Sequence, residues 1–143
     1  MDLFTTFKIS GSALKANRVR LNTISSNLAN VETTSTPEGG PYKKKSVYFE
    51  TQPITFKEHL DNKLNNSIQG VKVTKIVEDQ EPPQKVYNPD HPDADDDGYV
   101  AMPNVNVLKE MVDMMNTTRA YQANATTIKA AKRMAMKALE IGR

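Results

Sequence analysis

Residues 104–143 read NVNVLKEMVDMMNTTRAYQANATTIKAAKRMAMKALEIGR, and this stretch decides the fold. It holds no proline, and no glycine before Gly142. Large apolar or small residues recur at Val107, Met111, Met114, Thr118, Tyr121, Ala125, Ile128, Ala135 and Leu139, with Lys132 in the same series. The steps alternate four and three, which holds a seam on one side of a supercoiling helix. Asn104 or Asn106 can cap its start. At about 1.5 Å per residue the helix is roughly 50 Å long, too long for a chain of 143 residues to wrap on every side. A second apolar edge, Leu108, Val112 and Met115, widens the seam beyond what one partner helix covers. Five of the seven methionines lie here. Methionine suits surfaces that pack against several neighbours, although an ordinary core face gives the same pattern.

The partner lies at the other end of the chain. Phe7, Leu14, Leu21 and Leu28 stand seven apart, as do Leu3, Ser10, Asn17, Ile24 and Val31 in the complementary position. That is a second heptad seam with two polar members, Ser10 and Asn17. Asp2 is a candidate N-cap, and the run Thr33-Thr34-Ser35-Thr36 before Pro37 ends the helix near Val31 to Thr34. Two such helices bury too little apolar surface as a bare pair to offset the entropy of ordering them. The ends are therefore expected to be mobile in a free subunit and to order when copies stack.

Between the helices the texture changes, because all eight prolines fall between Pro37 and Pro103. Val47, Phe49, Ile54 and Phe56 read as strand material interrupted by Pro53, residues 58–66 as a short helical turn, and 71–78 as a strand with one apolar face. Lys85–Tyr87 and Tyr99–Met102 are brief extended pieces around a turn rich in proline and aspartate. The chain thus divides into an N-terminal helix (1–35), a β-rich insert (36–103) and a C-terminal helix (104–143). Its class is mainly α with a small β-rich insert, the long terminal helices pairing as a coiled coil.

Composition narrows the function. Net charge is +2 and charged residues make up 25% of the chain, so neither a disordered segment nor a strongly basic nucleic-acid binder is indicated. Basic residues outnumber acidic ones four to two in 1–35 and seven to three in 104–143, while the insert holds eight against twelve. Basic ends around an acidic middle suggest like chains meeting end region to middle region. A merely solvated charge distribution is the simpler explanation and outweighs it. There is no cysteine. The N-terminus places an acid where a secretory signal needs positive charge, and no stretch nears a membrane span.

Catalytic motifs are lacking. No GxSxG, HExxH, CxxC or phosphate-cradling glycine loop occurs, and His59 and His91 have no ligand partners at metal spacing. Asp93-Ala94-Asp95-Asp96-Asp97-Gly98 resembles the first half of a calcium loop. Position twelve is Asn104 instead of glutamate, and Pro89, Pro92 and Pro103 exclude flanking helices, so the run reads as a solvated acidic turn. Lys43-Lys44-Lys45 lacks interleaved aromatics and reads as an exposed face.

Thr23-Ile24-Ser25-Ser26-Asn27-Leu28-Ala29-Asn30-Val31-Glu32-Thr33-Thr34 resembles the N-terminal signature of the rod, hook and related axial proteins of the bacterial flagellum. Val105-Asn106-Val107-Leu108-Lys109-Glu110-Met111, Met114, and Arg119-Ala120-Tyr121-Gln122-Ala123-Asn124 resemble their C-terminal signature. The bridge from Tyr87 to Val105 looks like that of the proximal-rod branch, while Glu32 departs from the smaller or amide residue often found there.

The resemblance implies a structural subunit of the basal-body rod, without enzymatic activity, cofactor, metal, nucleic acid or small-molecule substrate. The terminal helices of that family pair as a coiled coil and stack into the inner wall of a torque-bearing tube crossing the periplasm. Implied partners are copies of the chain, other rod proteins and the adaptor joining rod to membrane ring. Export would use the flagellar type III apparatus without a cleaved signal. Leu14, Leu21, Ile24 and Leu28 would then face Met111, Met114, Tyr121 and Ile128 within the subunit. Leu108, Val112 and Met115 would face neighbours, with Asn27, Asn30 and Asn124 fixing register by amide hydrogen bonds. Two other classes remain: a coiled-coil adaptor of another secretion apparatus, and a calcium-binding module.

Overall fold

The computed structural model describes residues 3–53 and 69–141. Along the chain run helix α1 (Leu3–Ala29), strands β1 (Lys45–Pro53), β2 (Gln69–Glu78), β3 (Gln84–Tyr87) and β4 (Tyr99–Met102), and helix α2 (Val107–Ile141). The strands form two separate antiparallel pairs, β1 with β2 and β3 with β4. The expected cap at Asp2, the strand material at Ile54 and Phe56, the helical turn over 58–66, and His59 lie outside the described residues.

Both helices end where side chains supply the bonds that the backbone lacks. Of the two candidate caps for α2, Asn106 is the one used. Its Oδ1 accepts the Lys109 amide at 3.0 Å and its carbonyl accepts the Glu110 amide at 3.0 Å. Helix α1 stops at Ala29, earlier than its sequence suggests. There Asn30 Nδ2 donates to the Ser26 carbonyl at 2.8 Å and Thr33 Oγ1 donates to Asn30 Oδ1 at 3.2 Å. These local bonds compete with another helical turn. The Tyr42 amide then returns to the Thr33 carbonyl at 3.0 Å, and the chain doubles back along α1.

The helices pack antiparallel: Asn27, near the end of α1, meets Glu110 in the first turn of α2, while Arg20 reaches Asp113 at 3.9 Å. The buried face of α2 differs from the apolar seam read in the sequence. Glu110, Thr117 and Ala131 are buried, with Asn124 half-buried in the same column of sevens. Met114, Ile128 and Ala135 flank them, half-buried, and Tyr121 is 37% exposed. In the column of Met111, Thr118, Ala125, Lys132 and Leu139, Thr118 and Ala125 are half-buried and the other three are exposed, Met111 at 50% and Leu139 at 75%. One column of the expected seam, through Met114 and Ile128, is therefore kept, and the most buried positions lie one residue before the other. Side-chain size misled, because a glutamate with buried partners and small residues that admit a close neighbour outrank exposed methionines. On α1, Ser10, Ala16, Thr23, Ile24 and Asn27 are buried, and Leu14, Leu21 and Leu28 are half-buried.

The β1–β2 hairpin lies on α1. Ser12 fixes it there, donating to the Ile9 carbonyl at 2.7 Å and accepting the Val71 amide at 3.1 Å. A Cβ on Gly70 would stand 2.9 Å from Ser12 Oγ, so this close approach needs glycine. Among the described elements, α2 packs only on α1, and β3 and β4 pack only on each other. The largest fully buried side chains are Val100 and Asn27. The accessible surface is 10624 Å² for 16.0 kDa, against about 7,400 Å² for a compact monomer of that mass.

Candidate assembly interface

Where the end of α1, the start of α2 and the strand after Tyr42 converge, one amide organises the contact. Asn27 is 1% exposed. Its Nδ2 donates to the Lys45 carbonyl at 2.9 Å and to Glu110 Oε2 at 3.1 Å. Its Oδ1 accepts the Lys45 amide at 2.9 Å and the Tyr42 hydroxyl at 3.1 Å. Two donors and two acceptor sites are the full capacity of the group. Toward Lys45 the side chain acts as a neighbouring strand would, exchanging both bonds with one backbone unit.

Glu110 is the second buried member, at 3% exposure. Its other oxygen, Oε1, meets Lys44 Nζ at 2.9 Å. A carboxylate in the first turn of α2 also lies in the favourable field of the helix N-terminus. Removing a charge from water is costly unless it is paired and hydrogen-bonded, and both conditions are met. Lys45 Nζ adds a 3.5 Å pair with Glu78, and Ser26 Oγ lies 3.3 Å from the Tyr42 hydroxyl. Among the described residues no buried side-chain nitrogen or oxygen lacks a partner.

This arrangement corrects two expectations. Lys43-Lys44-Lys45 is not one exposed face: Lys43 is exposed, Lys44 turns inward to Glu110, and Lys45 gives its backbone to Asn27 while its side chain points away to Glu78. Asn27 presents nothing to a neighbouring molecule, since its bonds close within the chain. Asn30 is half-buried and bonds to Ser26 and Thr33, and Asn124 donates to the Ala120 carbonyl of its own helix at 2.9 Å. Sequence reading missed Glu110, Lys44 and Tyr42. The available signal was the polar column Glu110, Thr117 and Asn124, seven apart beside the apolar seam.

Outside the junction lies its opposite. Val107, Leu108, Met111, Val112 and Met115 are 41%, 75%, 50%, 50% and 53% exposed on the first turns of α2. Contiguous exposed apolar side chains mark a surface that another molecule covers. They form an exposed apolar strip without chemistry of its own.

The acidic turn between β3 and β4 is organised around its own backbone. Asp95 Oδ1 accepts the amides of Tyr99 at 2.7 Å and Asp97 at 3.2 Å, and Gly98 takes a φ of 79°. Thr34 Oγ1 donates to Asp93 Oδ2 at 2.6 Å, tying the turn to the segment after α1. Among the described residues no group of three histidine, cysteine or acidic side chains could hold a metal ion, and no helix is long and apolar enough to cross a membrane.

Known proteins resemble the chain at both ends of its sequence. A family model of flagella basal body rod proteins matches residues 7–35, and one for the C-terminal region of flagellar basal body rod FlgEFG proteins matches 96–141. Asn27 lies in the first match and Glu110 in the second. The chain is 45% identical to the flagellar basal-body rod protein FlgC of Bacillus subtilis, with 100% of both chains covered. It is 42% identical to FlgC of Borreliella burgdorferi, covering 99% of this chain and 98% of that one, and 42% identical to FlgC of Salmonella typhimurium, covering 99% of each.

Proposed function

The chain belongs to the FlgC family of flagellar basal-body rod proteins and is a structural subunit of that rod, and we propose that it builds the shaft by burying the outer strip of α2 against its neighbours. Those neighbours are copies of the chain and other rod proteins. In the assembly α1 and α2 wind as a coiled coil along the wall of a tube, with the β hairpins outside, and the tube carries torque across the periplasm. The adaptor between rod and membrane ring and the flagellar type III export apparatus are its further partners, and it leaves the cell interior without a cleaved signal. It performs no catalysis and takes no cofactor.

The observation that carries this reading is the exposed strip Val107, Leu108, Met111, Val112 and Met115 beside a junction whose polar groups are all satisfied. A strip of that kind is tolerable in water only if a neighbour covers it. Asn124 and Asn30, half-buried beside the helix pair, serve register within the stacked helices.

The test is complementation of a strain lacking this chain. Leu108→Asp and Met115→Asp are expected to abolish swimming and to remove the chain from purified basal bodies, while the isolated proteins keep their helical circular dichroism. Leu28→Asp, on the inner side, is expected to lose both helix content and assembly. Normal swimming with Leu108→Asp would remove the strip from the interface.

A further inference from the structure

The distal half of α2 carries a second unpartnered surface, and the chain holds a segment that matches it. Ala130, Arg133, Met134, Met136, Lys137 and Glu140 line a groove of about 510 Å³. Met134 and Met136 are 60% and 52% exposed, and Lys129, Lys132, Arg133 and Lys137 are all exposed around them. Between Met114 and Leu139 the helix has five basic residues and no acidic one. Glu140 is the one acidic member of the lining and pairs with Lys137 at 2.8 Å, which leaves Lys129, Lys132 and Arg133 to set a positive rim around the methionines.

The β3–β4 hairpin has the complementary character. Residues 86–103 contain five aspartates and no lysine or arginine, and Asp90, Asp95, Asp96 and Asp97 are exposed. At the base of the acidic turn Tyr87 and Tyr99 stand edge to face, centroids 5.4 Å apart, and are themselves 65% and 43% exposed. Exposed aromatic rings suit thioethers, as aspartates suit the lysines and arginine beside them.

The hairpin of one molecule does not reach its own groove. The Thr34–Asp93 bond holds the acidic turn beside the end of α1, which is also where α2 begins. From Val107 to Arg133 the helix runs about 40 Å. We infer that the acidic, tyrosine-bearing β3–β4 hairpin of one copy docks on the basic, methionine-lined distal groove of α2 in the next copy. Such a contact joins two different surfaces, so it is head to tail and propagates instead of closing into a pair. It rests on the rod reading and gives that rod a polarity: acidic end to basic end.

A charge exchange tests it in the complemented strain. Lys132→Glu with Arg133→Glu, and separately Asp96→Lys with Asp97→Lys, are each expected to lose swimming. All four changes in one chain are expected to restore it. Because the chain has no cysteine, Asp97→Cys with Lys132→Cys supplies a direct readout, expected as an intermolecular disulfide ladder in oxidised basal bodies. Both half-swaps leaving swimming intact, or a single disulfide confined within one chain, would overturn the docking. So would carbodiimide cross-linking that joins Lys132 or Lys137 to Asp2 instead of to the acidic turn. If wild-type chain reaches basal bodies under any of these results, the rod reading stands alone. Wild-type chain absent from basal bodies would sink both.

Discussion

The two ends of the helix pair are built on opposite plans. At the end where α1 finishes and α2 begins, an amide at 1% exposure and a carboxylate at 3% have every polar atom engaged. At the far end of the same α2, Met134, Met136 and Leu139 are 60%, 52% and 75% exposed. Interactions at the first end close within one molecule and stabilise the subunit. Apolar groups at the second contribute little until something covers them. Folding is thereby assigned to the inner face of the first turns of α2, and assembly to their outer strip and to the far end, and substitutions should separate them.

The largest effect on the free chain is expected from Asn27→Leu. It leaves Glu110 Oε2 and both backbone groups of Lys45 without the partners they have now. Buried polar groups left unpaired cost about 1–3 kcal/mol each, so a loss of about 3–5 kcal/mol is expected in urea unfolding followed by circular dichroism. A loss below 1 kcal/mol would show that water serves the junction equally well, and the contrast between the ends would fail. Next is Lys44→Met, which leaves the Glu110 carboxylate without its counter-charge at 2.9 Å. About 2–3 kcal/mol is expected. Adding Glu110→Gln removes the stranded charge and should recover part of that loss, which a double-mutant cycle measures directly.

That cycle also probes what the sequence concealed. The two long helices were legible because apolar residues at sevens and the confinement of proline to 37–103 are local signals. So were the brief strands at Lys85–Tyr87 and Tyr99–Met102, flanked by proline and aspartate. The inner face of α2 was not legible from apolar size, since Met111 and Leu139 look more like core than Glu110 or Thr117 do. What selects Glu110 is Lys44, sixty-six positions away, and Asn27, eighty-three away. Nothing near Glu110 in sequence reports either partner. Conversely, the exposed strip at Leu108, Val112 and Met115 was legible as an extra apolar edge, because one helix partner covers only one face. The pairing of the strands depends on contacts between distant residues and had no local signature.

Intermediate effects belong to the hairpin that links the two plans. Gly98 has a φ of 79°, and a Cβ there would stand 3.0 Å from the Tyr87 ring. Gly98→Ala is therefore expected to cost about 1–2 kcal/mol, from backbone strain and displacement of the ring. The loss should be local, raising amide exchange at Asn88 and Asp95, whose amides bond to the Gly98 and Tyr99 carbonyls. Asn106→Ala, which deletes the cap of α2, is expected to cost about 1 kcal/mol. Faster exchange in the first turn of α2 would accompany it.

The smallest effect on stability is expected at the far end. Leu139 is already 75% exposed, so replacing it with serine removes little apolar surface from contact within the free chain. Substitutions at such positions usually stay within about 0.5 kcal/mol, and serine carries only a small helix-propensity cost relative to leucine. The same holds for Met136→Ser at 52% exposure. Amide exchange should agree, with protection highest near Glu110 and falling toward residue 141, because local stability follows the density of buried contacts. A loss above 1 kcal/mol for Leu139→Ser, or uniform protection along α2 in dilute protein, would mean that the free subunit already covers its far end. The difference between the two ends would then be a property of single positions and not of the helix, and the apolar groove would no longer be open to a second copy.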